Sequence, residues 1–127
     1  LRNVTVLDPR PRSDQNNFLN ACDVGIVSLV SKMKGVSMPS RTYNLLAAGK
    51  PILAIAEPGS EIAMVTEEDN VGRVVAPGDV DRLTAAIEDL AHLGVDELSA
   101  MGERARRSAL SKYSVNTALE SYRRELT

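Results

Sequence analysis

Apolar residues along the chain fall into two kinds of run. The continuous runs Val24-Gly25-Ile26-Val27-Ser28-Leu29-Val30 and Ile52-Leu53-Ala54-Ile55-Ala56 have the length and composition of buried parallel strands. Val4-Thr5-Val6-Leu7 is a shorter β-branched run, and Gly72-Arg73-Val74-Val75-Ala76 reads as the last strand. Elsewhere apolar residues recur at helical spacing. Phe18, Leu19 and Cys22 share one face of a helix over residues 16–22, and Ile62, Met64 and Val65 are available for burial from a short helix over residues 61–68. Leu83, Ala86, Ile87 and Leu90 predict another helix. From Val95 onward the chain reads helical. Leu98, Met101, Ala105 and Leu110 lie on one helix, a break falls near Tyr113-Ser114, and Val115, Leu119, Tyr122 and Leu126 lie on the next. Strands alternating with helices at this spacing predict an α/β fold with a parallel, doubly wound, Rossmann-like sheet. No internal repeat, low-complexity tract or linker interrupts it, so residues 1–127 read as one domain.

Polar residues supply the punctuation. Asp8-Pro9-Arg10-Pro11-Arg12 is a strand end and a stiff loop, after which Ser13 or Asp14 can cap the first helix. Ser60 caps the 61–68 helix, Asp69-Asn70 turns the chain into the last strand, and Asp79 or Asp81 caps the helix beyond it. The best-marked stretch runs from Gly35 to Pro51 and reads as loop, helix, helix stop. Pro39 suits a first helical turn, where its missing N–H costs nothing. Ser37 or Ser40 can cap the free amides, although neither has the Glu or Gln three residues on that completes a capping box. Gly49 fits the left-handed residue that ends a helix, and Pro51 keeps it from restarting. An ordinary capped crossover helix carries this signature. So does an anion site, because a helix N-terminus after the carboxyl end of a parallel strand is where α/β sheets bind anionic ligands.

Composition narrows the choice. The 127 residues are 43% hydrophobic and 25% charged, ordinary for a globular chain, with aromatics at 3% and no Trp. A base-stacking platform is therefore not expected, and a net charge of −2 argues against a general nucleic-acid binder. The local balance says more. Residues 1–56 hold seven basic and three acidic side chains, residues 57–97 two and eleven, and residues 98–127 six and three. The 35–51 stretch thus lies in a positive part of the chain, as an anion site requires. Cys22 is alone, which excludes a disulfide framework and a thiolate metal cluster and favours a reducing compartment. No apolar run approaches the ~20 residues of a membrane span, and no signal-peptide pattern opens the chain. Leu1 rather than Met stands first, and a strand-like run follows at once, as in a piece cut from a longer protein.

Catalytic chemistry has little to work with. His92, the single histidine, stands near a helix end and reads as a surface or dipole-compensating residue. Cys22 reads as a small core residue, and Glu67-Glu68 and Glu88-Asp89 as solvated pairs. Neither Gly-x-Gly-x-x-Gly nor a Walker loop is present. What remains is binding. Ser37, Ser40, Arg41 and Thr42 could donate to a diphosphate, and Asn44, one turn further along, could reach a ribose hydroxyl.

Asp23-Val24-Gly25, then Pro39-Ser40…Leu46-Ala47-Ala48-Gly49-Lys50-Pro51-Ile52, Gly59-Ser60-Glu61, Val71-Gly72-Arg73-Val74-Val75, Pro77-Gly78-Asp79 and the closing Lys112-Tyr113-Ser114-Val115 carry a resemblance. In their order and spacing they resemble the carboxyl-terminal domain of retaining GT-B glycosyltransferases of family 4, over nearly the whole chain. The resemblance implies a partial GT-B donor-binding domain that holds a nucleotide sugar, UDP-linked, with its diphosphate at Ser40, Arg41 and Thr42. A family glutamate that holds the ribose falls at Asn44. A second, which meets the donor sugar, falls at Val36 by an ungapped count, or near Ser37 if a gap intervenes. Asn can still bond a ribose, more weakly than a carboxylate, whereas Val cannot replace one. Pro9 and Arg10 become candidates for contacting the base, and the family's Gly-Arg…Lys-Gly loop would lie upstream of Leu1.

The implied activity is transfer of a sugar from a nucleoside-diphosphate sugar, with retention, in glycan or polysaccharide biosynthesis. The implied partners are the donor and a glycan or lipid-linked acceptor reached through a missing domain, with no nucleic acid, metal or other cofactor. This piece alone is expected to be inactive. The expected location is the cytoplasm, with the inner membrane face open to the full-length protein as a peripheral surface. A GT-B nucleotide-sugar epimerase and a non-catalytic α/β interaction module are the alternatives. The family's strand order, 3-2-1-4-5-6, makes residues 4–7 the third strand and residues 24–30, 52–56 and 73–76 the fourth to sixth. The last three should lie side by side and parallel, with 24–30 innermost. With strands one and two absent, residues 4–7 are expected to slide in beside 24–30.

Overall fold

The computed structural model describes residues 2–126. A single 3-10 turn at Arg12–Asp14 leads into α1 (Gln15–Ala21), followed by β1 (Gly25–Ser28), α2 (Ser40–Ala47), β2 (Ile52–Ile55), α3 (Glu61–Glu68) and β3 (Gly72–Val75). Three helices close the chain: α4 (Val80–His92), α5 (Val95–Lys112) and α6 (Val115–Glu125). The strands form one parallel sheet in the order β1-β2-β3, with Gly25 opposite Ile52 and Ile52 opposite Gly72. This is the parallel α/β arrangement that the alternation of runs implied.

β2 is the buried centre, with Ile52, Leu53 and Ala54 almost wholly enclosed. Alternate residues of a strand face opposite sides. Accordingly Ile52, Ala54 and Ala56 join one cluster with Leu45 and Leu46 of α2, Ile62 of α3 and Ala105 of α5. Leu53 joins the other with Val75, Leu90 of α4 and Met101 of α5. The ladder reaches one bond past the strand at each end, through Gly25 N–H to Pro51 C=O (2.8 Å) and Leu29 N–H to Ile55 C=O (2.8 Å).

One expected strand is absent. Residues 4–7 carry no strand, and Val4, Val6 and Leu7 are exposed, Val6 at 91%. β propensity measures fit to a pleated surface with neighbours, and this run has none. β1 therefore stands at one edge of the sheet, with no strand beyond it among the described residues.

The helix ends divide between expectation and correction. α2 ends with Gly49 at φ +66°, Gly49 N–H bonding Leu46 C=O (3.0 Å) and Lys50 N–H bonding Leu45 C=O (2.9 Å). That is a Schellman motif. Asn70 at φ +49° closes α3 in the same way, through Val71 N–H to Thr66 C=O (3.1 Å). Asp79 caps α4 as expected, accepting from Arg82 N–H at 3.0 Å. Neither Ser37 nor Ser40 caps α2. Pro39 takes the cap position in extended backbone, Ser40 is already helical, and no side-chain bond forms. Asp14 and Ser60 hold the cap positions of α1 and α3, again without a side-chain bond. Phe18, expected on a buried face, is 59% exposed, while Leu19 and Cys22 are half-buried. Leu110 is likewise exposed, as are Val115, Leu119, Tyr122 and Leu126 of the last helix. Among the described residues no helix is long and apolar enough to cross a membrane.

α5 locks onto the end of α2. Gly102 leaves no room for a Cβ, which would strike the Gly49 carbonyl oxygen, and Arg106 donates to Ala47 C=O at 3.2 Å. At the other end of α5, Lys112 (2.6 Å) and Ser108 (2.6 Å) both donate to Asp69. Burial works to raise the Asp69 carboxyl, but these hydrogen bonds and the Lys112 charge hold it below its ordinary value of 3.8.

Two expectations follow. Gly102→Ala should gain about 1 kcal/mol of helix propensity but lose about 1–3 kcal/mol by overpacking against backbone. A urea titration should therefore show a net loss of stability, and an unchanged or raised midpoint would refute the tight contact. Asp69, with its depressed value, contributes stability that is present above the ordinary carboxyl value and lost as pH falls through the folded one. Asp69→Asn should thus cost up to about 1 kcal/mol near pH 7, the partner being half-exposed, and progressively less in acid as the pH falls from the ordinary carboxyl value through the lowered folded one. Parallel denaturation curves at neutral pH and in acid test this; a difference that does not shrink in acid would contradict it.

Candidate functional site

The site is built around the start of α2, a helix that is held against β1 near its other end. Gly25 lacks a side chain, and a Cβ there would collide with the Leu45 methyls, so α2 packs close against β1. Pro39 sets the helix entry without using a side chain for capping. Thr42 N–H bonds Pro39 C=O at 3.0 Å, while the Ser40 and Arg41 amides, in the first turn, have no carbonyl to bond. Two amides and the positive end of the helix dipole are therefore presented to solvent.

Ser40, Arg41 and Asn44 line one groove of about 560 Å³, which runs between α1 and α2 along β1. Its floor is apolar, from Leu19, Cys22, Val24, Ile26 and Leu45, with Gln15 and Phe18 on the far wall. Pro9 and Arg10 line a second groove of about 510 Å³, which has Gln15 and Phe18 in its lining too. The two grooves thus share a wall. Arg10 also sits 3.9 Å from Asp14, an exposed pair of little energetic weight.

The remaining predicted residues lie elsewhere. Val36 (67% exposed) and Ser37 stand on the loop before α2 and line neither groove. Thr42 turns inward: the residue is fully buried, its hydroxyl has no partner, and its amide is used by Pro39. Neither group of Thr42 is open to a ligand in this structure. Gln15 and Phe18 were not read as site residues from the sequence. The usable signal was that the chain's single Phe stands beside polar Gln15-Asn16-Asn17 rather than in an apolar run.

No carboxylate lines the α2 groove, whose one charged lining residue is Arg41. Neither Lys32, Lys34 nor Arg41 forms an ion pair among the described residues. His92 lies at the far end of α4, its Nδ1–H donating to Glu88 C=O at 2.6 Å, and cannot serve this groove. Among the described residues no group of His, Cys, Asp and Glu is gathered to hold a metal ion. The arrangement can bind an anion with a polar, partly apolar body.

Thr42 supplies a test of this geometry. A buried hydroxyl without a partner costs about 1–3 kcal/mol, so Thr42→Val should raise stability by roughly 1 kcal/mol. Chemical denaturation checks it, and a loss of stability would mean that the hydroxyl is bonded after all.

No protein-family model matches the chain, and no solved structure matches it. Among curated proteins it is similar to one named "probable glycosyltransferase WbjE", from Pseudomonas aeruginosa, with 36% identity over 112 residues. The match takes in 88% of this chain and 27% of the relative, so the chain spans about a quarter of the length of the protein it resembles.

Proposed function

We propose that this chain is the donor-binding part of a glycosyltransferase of the GT-B class, family 4, holding a UDP-sugar in the groove at the start of α2. The observation that carries the reading is the shared Gln15–Phe18 wall, which joins the Pro9–Arg10 groove to the groove of Ser40, Arg41 and Asn44. A nucleoside diphosphate has this layout: a flat base, a sugar, and a charged end. The diphosphate meets the Ser40 and Arg41 amides and the Arg41 guanidinium, Asn44 faces the ribose, and the base extends toward Pro9 and Arg10. Val36 and Ser37, on the loop above, face the donor sugar. The 36% identity to a probable glycosyltransferase supports the class of reaction.

On this reading the chain's contribution to catalysis is electrostatic. Sugar transfer leaves negative charge on the departing diphosphate. Fixed helix-start amides and a guanidinium stabilise that charge without reorganising. Acid–base and acceptor groups come from the remainder of a longer protein, which transfers the sugar to a glycan or lipid-linked acceptor at the cytoplasmic side of a membrane.

The test is calorimetric titration of UDP into the full-length protein, with backbone hydrogen exchange of the same samples. UDP should protect residues 36–44. Arg41→Ala should weaken binding roughly tenfold, as loss of a charge-assisted hydrogen bond of about 1.5 kcal/mol requires. Asn44→Glu should tighten it, because an ionised acceptor bonds a hydroxyl about twice as strongly as an amide. Protection confined to the segment around Glu88 and Gly94, or indifference to Arg41, would overturn the reading.

A further inference from the structure

The loop that joins β1 to α2 adopts a conformation its own sequence does not favour. Lys32 sits at φ +71°, in the left-handed region that side-chain-bearing residues rarely occupy, and Gly35 follows at φ +72°. Such a residue persists only where its surroundings over-determine it. Here the surroundings are another loop. The Lys32 backbone N–H donates to Glu57 Oε2 at 2.8 Å across 25 residues of sequence. Two residues on, the Lys34 ammonium lies against Gly59, where a Cβ would meet it at 2.9 Å. Glu57 and Gly59 belong to the turn between β2 and α3, and the Lys32–Lys34 segment to the loop that delivers Val36, Ser37 and then the first amides of α2.

Little else holds this loop. Its first bond is Leu29 N–H to Ile55 C=O (2.8 Å), its last anchor is half-buried Met38, and Val36 N–H bonds Met33 C=O (3.1 Å) within the loop itself. Residues 34–37 are exposed. The Glu57 carboxylate does not pair with the Lys32 charge; it captures the backbone N–H of a residue held in the left-handed region.

We infer that Glu57 is a positioning residue for the groove, latching the β1–α2 loop so that Val36, Ser37 and the Ser40 and Arg41 amides stand open to the donor. The inference rests on the donor-binding reading. Without the latch, Lys32 relaxes to an ordinary backbone conformation and the segment ahead of Pro39 swings across the start of α2. A carboxylate outside the groove thereby sets affinity inside it.

Four versions of the full-length protein decide the matter: wild type, Glu57→Gln, Glu57→Ala, and Glu57→Ala combined with Lys32→Gly. Glu57→Ala should speed hydrogen exchange of the 29–41 peptide and weaken UDP binding roughly tenfold, the loss expected for one charge-assisted bond. Its urea midpoint should hold, because the lost bond is on the surface. Glu57→Gln keeps an oxygen acceptor and should retain most of the affinity. Glycine at position 32 occupies φ > 0 without strain, so the double variant should recover affinity although the carboxylate is gone. Wild-type affinity in Glu57→Ala, or no recovery in the double variant, would overturn the inference. If wild type binds no UDP at all, the donor reading fails separately. The latch is then decided by exchange alone: faster exchange at 29–41 in Glu57→Ala, but not in Glu57→Gln, supports it, and unchanged exchange refutes it.

Discussion

The two-sided burial of β2 is the constraint on which the remaining structure depends. A strand enclosed above, below and on both edges must pair every backbone polar group, since an unpaired buried N–H or C=O costs about as much as a lost hydrogen bond. β1 and β3 meet that demand on the edges, with Ile52 N–H on Val71 C=O and Ala56 N–H on Val75 C=O continuing the ladder beyond the strand. The faces must then be apolar, which calls for α2 and α3 on one side and α4 on the other, with α5 contributing to both clusters. Parallel pairing forces each connection to cross the whole sheet, so both loops that follow β1 and β2 emerge at the same end. Lys32 and Glu57, on those two loops, are thereby brought together.

Close approach fixes α2 in that frame. Three glycines act toward its carboxyl end: Gly25 admits Leu45 to the sheet, while Gly49 and Gly102 let α5 touch the helix terminus backbone to backbone. A helix held so firmly at its carboxyl end keeps its amino end rigid, which is what binding by fixed amides requires.

How far the sequence foretold this depends on the range of the determining interaction. β2 and the stop of α2 were legible, since a doubly buried strand writes a continuous apolar run and a Schellman end needs only Gly49 and its neighbours. Asp79 was legible for the same local reason. The strand at residues 4–7 was not, because Val4, Val6 and Leu7 have strand character but a strand exists only with a partner. Ser37 and Ser40 misled as caps because Pro39 displaced both, whereas Ser60 holds its expected cap position but makes no side-chain bond there. The site was half legible. The α2 start followed from local signals, but Gln15 and Phe18 reach it from another helix, and the Glu57–Lys32 bond spans 25 residues with no trace at either position.

Charge distribution carries the last step. The acidic middle of the chain does not stay acidic in space: Asp69 takes Lys112, Glu97 takes Arg104, and Asp89 takes Arg73. The basic carboxyl-terminal segment is thus spent partly on the carboxylates at the end of α3 and the start of α5. Lys32, Lys34 and Arg41, in the amino-terminal part, have no such partner among the described residues. The Glu57 carboxylate bonds the neutral Lys32 amide, so it anchors the loop without an ion pair to those cations. In a protein of net charge −2, Lys32, Lys34 and Arg41 thus stay without a carboxylate partner among the described residues. Arg41 stands in the first turn of α2 with its unpartnered amides, where the helix dipole adds to the same sign.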